Sequence, residues 1–440
     1  MKSRLFLLLL IVFSMFTLIP AFGEPDDPPR YIHLTWQRDD TAHTMTVTWR
    51  TEGAASGTVL YDTVSREGDL ERYRYSAGGI TQPYRAGGEG YIHNVELRGL
   101  APDTTYFFVC GGEPGGWSRE VSFRTGPILR SDVRFVVGGD SRTGHDERDR
   151  ISRAMSKFNP DFVLFGGDMV EDGRDQELWD SFLGHMEAYW TGSNGSMIPI
   201  IPALGNHEEN STMYYEQFAL PGNEQWYSLD WGPDLHIVVL NSEGDVDDLR
   251  EQASWLEGDL EDHASYPWKI VVFHRNVFKN YHPEWLSAFN LQWIPIFDKY
   301  GVDLVVNAHS HNYMRSEPIN WTASKTEPQP SYGEGTMYLV SGGWGAPLYE
   351  TVDGWWVAYT TSIHHFVLVD VYENGTMRIQ AKAETGETFD EAWIEKEIPD
   401  FGEMMAERVS ALRGEKEALE GRVLMLEEGN RALEAEIAAL

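Results

Sequence analysis

The stretch "DFVLFGGDMVEDG", residues 161–173, runs from an apolar tetrad into two glycines and an aspartate. A short apolar run bounded by Gly reads as a strand buried on both faces. A carboxylate at the end of such a strand is costly unless a cation or several donors meet it. Asp168 therefore needs a partner. The same arrangement recurs along the chain. "VRFVVGGD" (133–140) ends in Asp140, and "IPALGNHE" (201–208) carries Asn206 and His207. "KIVVFH" (269–274) ends in His274, and "LVVNAHSH" (304–311) supplies His309 and His311. In open α/β sheets, sites form at the C-terminal ends of strands. One such residue is readily a helix cap; five strand ends in chain order point to a single polar site.

Around these runs the pattern alternates between buried strands and helical stretches at 147–158, 247–262 and 288–300, which predicts an α/β layered domain over 130–398. "HFVLVDVYENGTMRIQA" (365–381) is expected to close it as a hairpin turning at Asn374-Gly375. Residues 31–127 differ. They show period-two strands such as "TMTVTW" (44–49), which puts Met45, Val47 and Trp49 on one face. Tyr106, after "LAPDTT", fits the tyrosine that ties down the corner of a fibronectin type III sandwich, which this segment resembles. It carries no clustered ionisable chemistry and reads as a packing or spacing module. At the C-terminus Leu412, Leu419, Leu426, Leu433 and Leu440 recur every seven residues, with Met405 extending the series back. Asn430 at the partner seam position favours a parallel dimer. Gly414 and Gly421 each weaken the helix by about 1 kcal/mol. Residues 403–440 are therefore read as a coiled coil joining two copies, with a helix packed on its own chain, or a stalk, as the alternatives. The fold class is multidomain: an all-β fibronectin type III-like sandwich, an α/β β-sandwich domain, then a coiled-coil helix.

The formal net charge of −34 argues against nucleic acid or an anionic membrane as the main partner. It leaves room for a small anion, because a local cation reverses the field at a site over the roughly 8 Å screening length. Residues 1–23 read as a secretory signal: Lys2 and Arg4, an apolar run too short for a comfortable span, then Ala21-Phe22-Gly23. An uncleaved anchor is the alternative. Residues 24–30 form a linker. The single cysteine, Cys110, excludes an internal disulfide and reads as a buried structural thiol. Sequons start at Asn194, Asn210, Asn320 and Asn374, so an exported or cell-surface chain is expected to be a glycoprotein.

The order of the strand-end residues resembles the calcineurin-like metallophosphoesterases. With the β domain in front, the chain looks most similar to the purple acid phosphatases, from about Tyr31 to about residue 385. "GNHE" and the H-x-H of "NAHSHNYMR" carry the resemblance most specifically. It implies a two-metal centre. The first metal takes Asp140, Asp168 and His311; the second takes Asp168, Asn206, His274 and His309, with Asp168 as the bridge. A mixed oxygen and nitrogen set suits Fe, Zn or Mn. His207 is the expected general acid, with orientation of Asn206 alone as its plainer role. Three departures stand out. Arg142 occupies the third place of a motif that is Asp-x-His in many relatives; it cannot ligate metal and is expected at the substrate phosphate, or in a pair with a carboxylate. Glu171 stands where purple members have a tyrosine ligand, so the purple charge-transfer band is not expected, and the first metal site loses a ligand, uses Glu171 or water in its place, or binds weakly. Arg275 follows His274 where relatives often have a second His. His145, His185, His236, His282 and His364 carry no spacing signal, and "SGGWGAP" (341–347) reads equally as pocket lining or as a tight turn.

These readings predict an exported dinuclear-metal phosphatase acting on small phosphomonoesters. A phosphodiesterase or nucleotide hydrolase is the alternative within the class. An adhesion or scaffold protein with an impaired phosphatase domain is the alternative outside it.

Overall fold

The computed structural model describes residues 27–84, 89–278, 288–320, 329–330, 335–351 and 353–398, with isolated helical positions between Gly402 and Met425. The expected signal segment, His282 and nearly all of the heptad segment 403–440 lie outside the described residues. No helix among the described residues is long and apolar enough to cross a membrane.

The N-terminal domain is two antiparallel sheets. One orders Arg30–Thr35, Thr44–Thr51, Tyr91–Arg98 and Ile80–Pro83; the other is built on Thr58–Asp62 and Thr105–Gly112. Met45, Val47 and Trp49 are buried on one face as their alternation requires. The Tyr106 hydroxyl accepts a 2.9 Å hydrogen bond from the Ala101 amide, which is the expected corner tie. Cys110 is buried and its thiol is pushed well up by burial, so it is inert. The opposite face docks on the second domain. Arg50 pairs with Asp180, and the Thr35 and Thr41 hydroxyls donate to the Ala219 and Asp230 carbonyls.

The second domain packs two sheets face to face. The six-stranded sheet orders Ile200–Pro202, Phe162–Phe165, Val133–Gly138, His365–Tyr372, Thr376–Ala383 and Thr388–Glu395. The seven-stranded sheet orders Tyr227–Trp231, Leu235–Val239, Trp268–Val272, Leu304–Asn307, Met337–Ser341, Tyr313–Ser316 and Val357–Thr361. Alternation decides what each side chain meets. Ile237, Val239, Ile270, Val272, Leu304 and Val306 point into the inter-sheet core. Val238, Leu240, Val271, Phe273 and Val305 point outward, under α4 (Val246–Asp262) and α5 (Ala288–Tyr300). Both faces are covered, so these strands read as unbroken apolar runs.

Two expectations need correction. The hairpin at 365–381 does not close the domain, because Thr388–Glu395 adds an edge strand beyond it. Two helices were also missed: α2 (Gln176–Tyr189) and the short α3 (Thr212–Gln217), which follow α1 (His145–Ser156). The signal for α2 was present. Asp175 caps it by accepting from the Glu177 and Leu178 amides, and Trp179, Phe182, Leu183 and Met186 form its buried stripe.

His236, fully buried, sits between the Asp230 and Asp259 carboxylates at 2.8 and 2.9 Å, with His263 stacked on it and Tyr266 bonded to Asp230. Burial opposes its charge, but the two carboxylates more than offset this and raise its pKa above 6.5. A raised folded-state pKa contributes stability that is complete below about pH 6.5 and is lost as pH rises through the folded value. We expect urea unfolding to show stability falling with rising pH. We expect His236→Gln to flatten that slope and cost about 3 kcal/mol. A variant profile as steep as the parent's would assign the slope elsewhere.

Candidate metal centre

The strand ends meet at one edge of the inter-sheet core. Asp140, Asp168 and His309 all take left-handed backbone conformations, with φ of 57°, 56° and 62°. A non-glycine residue in that region costs on the order of 1 kcal/mol, and such strain concentrates at functional sites. The two aspartate loops are zipped together: the Asp140 amide donates to the Gly167 carbonyl and the Ser141 amide to that of Asp168. Gly167, at φ 93°, has no room for a side chain, since a Cβ would lie 2.7 Å from the Gly205 amide nitrogen. That close approach brings Asp168 beside Asn206.

Around His274 the donors converge. Its Nδ1 faces the Gly166 carbonyl at 2.9 Å, which leaves the Nε2 lone pair for the site. Nε2 lies 3.1 Å from Asn206 Oδ1, 3.1 Å from His309 Nδ1 and 3.4 Å from Asp168 Oδ1. Ligand bonds of about 2.0–2.1 Å put neighbouring donors about 3.0–3.4 Å apart around one ion. These four residues therefore fit a metal. Burial opposes a proton on His274, yet the Asp168 and Asp140 carboxylates raise its pKa, so the field of the site favours a cation. Burial and the charge of His274 push His309 down to about 3, so it is a neutral donor.

The other side of Asp168 faces the first metal position, and the His274 group faces the second. His311 donates from Nδ1 to the Pro347 carbonyl at 2.7 Å, and its Nε2 stands 3.4 Å from Asp140 Oδ1. Both Asp140 oxygens are buried without a hydrogen-bond partner. A buried carboxylate with both oxygens unpartnered is costly and calls for a cation or water to satisfy it. Ligand atoms of Asp140, Asp168 and His274 lie within 4.8 Å of one another. The residues thus fit two ions sharing Asp168, and their donor chemistry suits Fe, Zn or Mn. Arg142 lies across the first group: its Nη2 is 3.1 Å from His311 Nε2, its Nη1 2.6 Å from Glu171 Oε2, and its Nε 3.8 Å from Asp168 Oδ2. His207 donates its amide to Asp168 Oδ1 at 2.9 Å; its Nδ1 faces the Glu171 carbonyl at 2.6 Å, and its Nε2 lies 3.9 Å from Asp168 Oδ2. All nine residues singled out in the sequence meet here.

Three supporting parts had no assigned role. Glu208, fully buried, accepts from the amides of Asp168, Met169 and Gly205 at 2.9, 2.7 and 2.7 Å. Burial and Asp168 raise its pKa to about 7. It was visible in "GNHE" but had no partner until the loops met. "SGGWGAP" lines the site after all: a Cβ on Gly342 would lie 2.6 Å from Asp140 Oδ2, and Ala346 donates to the Asp140 carbonyl. Tyr349 stacks on His311 at 4.0 Å, and nothing in the sequence marked it.

Asp230, His236 and His263 also bring ligand atoms together. They do not fit an ion. The two imidazoles stack at 4.0 Å and 13°, so their in-plane lone pairs cannot converge, and both His236 nitrogens face carboxylates.

The profile described as "Purple acid Phosphatase, N-terminal domain" matches residues 29–125, and that of the calcineurin-like phosphoesterases matches 133–313. The chain is 27% identical to human (Homo sapiens) acid phosphatase type 7, over 90% of this chain and 97% of that protein. It is 28% identical to the Fe(3+)-Zn(2+) purple acid phosphatase 12 of Arabidopsis thaliana, over 68% of each chain. Its fold matches a purple acid phosphatase from yellow lupin (Lupinus luteus) seeds with a TM-score of 0.70, at 22% identity, over 84% of this chain and 75% of that one. With a donor set paired around a shared aspartate, the chain thus carries a purple acid phosphatase-type N-terminal domain and a calcineurin-like phosphoesterase domain, its relatives are acid and purple acid phosphatases, and it is a metal-dependent hydrolase of phosphoric esters.

Proposed function

We propose that the protein is an exported phosphomonoesterase with a dinuclear centre. Asp140, Asp168 and His311 hold one ion, and Asp168, Asn206, His274 and His309 hold the other. The observation that carries this is the convergence of two donor groups on Asp168, one of them around an orphaned buried carboxylate. When bound, the metals polarise phosphoryl oxygens and lower the pKa of a coordinated water towards about 7. The chain's own residues do the rest. Asn206 and the His207 amide hold opposite sides of the Asp168–His274 contact. The Nδ1–H of His207 donates to the Glu171 carbonyl and so aims Nε2 inward, where the imidazolium form presents an Nε2–H towards a leaving oxygen. Arg142 stands at the mouth of the first group, where its guanidinium meets a phosphate oxyanion.

The acidic surface, the N-terminal signal and the sequons support export, and the heptads support a homodimer. The decisive experiment is metal content with turnover of an aryl phosphate. Two metals per chain with turnover supports the proposal; no turnover across Fe, Zn and Mn would sink it and leave the scaffold reading. Comparing an aryl monoester with a bis-aryl diester separates mono- from diesterase. We expect His207→Ala to lower kcat by about 100- to 10,000-fold with metal content unchanged. Loss of metal in that variant would make His207 structural instead.

A further inference from the structure

We propose that the Arg142 guanidinium and a metal ion compete for the first position, so that the two metal sites differ in affinity and the first is loaded only when Arg142 swings out. This rests on the dinuclear reading above. The guanidinium meets three of the groups that face the first position: His311 Nε2, Glu171 and the outer oxygen of Asp168. His311 keeps its proton on Nδ1, which donates to the Pro347 carbonyl, so Nε2 offers one lone pair. That lone pair serves an Arg142 N–H or a metal, never both. The side chain is 12% exposed, so the guanidinium belongs to the wall of the site rather than to solvent.

The guanidinium is an imperfect occupant. It leaves both oxygens of Asp140 without a hydrogen bond, whereas an ion between Asp140, Asp168 and His311 would satisfy them. The metal therefore wins when it is abundant, but against a resident cation. The second position has no such rival. Among the described residues, no guanidinium or ammonium group is bonded to Asn206, His274 or His309, and the neighbouring Arg275 is held by Glu243. Glu171 acts as the pivot: half-exposed and bonded to Arg142 through its side chain, it offers the guanidinium an anchor at the mouth when the ion enters.

The test is titration of the metal-free full-length protein with Mn(II), read by equilibrium dialysis and electron paramagnetic resonance. Two ions sharing a carboxylate are spin-coupled, while one ion alone is not. The wild type is expected to bind one Mn(II) tightly with an isolated-ion spectrum and a second at least about tenfold more weakly, with coupling appearing only then. Arg142→Ala is expected to bind both ions with similar affinity and to show coupling from the start. Arg142→Gln, which keeps an amide for Glu171, should do the same and covers a failure of the alanine variant to fold. Two equal sites in the wild type, or a first site as weak in both variants, would overturn the competition. No Mn(II) binding in any of the three would overturn the dinuclear reading itself.

Discussion

Asp168→Asn is expected to give a folded protein that holds neither metal firmly and hydrolyses phosphoesters at least about 10,000-fold more slowly. The substitution is isosteric, and asparagine tolerates the left-handed conformation at φ 56° as well as aspartate does. The acceptor for the His207 amide is retained at Oδ1. What disappears is the charge. Asp168 alone turns one oxygen to His274 and the other to the Arg142 and His207 side, so both donor groups lose their shared anion. His274 loses the carboxylate that most raises its pKa. Against the cost of burial, the fold holds the Asp168 carboxyl well below its ordinary range through His274 and His207, which outweighs its repulsion on Glu208, so the metal-free variant should also melt somewhat lower. Metal analysis, kcat/KM and a melting curve on the same preparation check this. Retention of two metals by the variant would remove Asp168 from the bridging role.

Glu208→Ala should have the opposite signature, with stability lost first and metal lost in consequence. The carboxylate closes three buried amides, those of Asp168, Met169 and Gly205. Each buried donor left unpaired costs about 1–3 kcal/mol, so the variant should lose at least about 3 kcal/mol in urea unfolding. Glu208→Gln keeps one oxygen, but its amide group opposes an N–H, so it should fall between. The loops carrying Asp168 and Asn206 would then drift, and metal affinity should fall with them. A Glu208→Ala protein as stable as the wild type would show that water replaces the carboxylate.

Much of this was legible in the chain. Strands buried on both faces leave unbroken apolar runs, and a carboxylate or imidazole just past such a run has no cheap structural explanation. Asp140, Asp168, Asn206, His274, His309 and His311 stood out for that reason. The stripe of α2 at Trp179, Phe182, Leu183 and Met186 follows helical spacing and is legible in the same way. Tyr349 is different. Its contact with His311 depends on a loop crossing at a place no local pattern encodes.

The chemical identity of the site was thus set by residue type and local order, because metal ligation needs particular donors and strand ends deliver them to one edge. What only the tertiary structure decided is how those donors are balanced. Glu208 is the first of two adjacent acids in the chain and a clamp on three amides in the fold. Arg142 is a departure from a motif in the chain and a cation lying across one metal position in the fold. Charge balance at a buried site depends on distances of 3–4 Å between residues far apart in sequence. Such distances exist only once the two sheets have packed and the loops of Asp140, Asp168 and His311 have been drawn together.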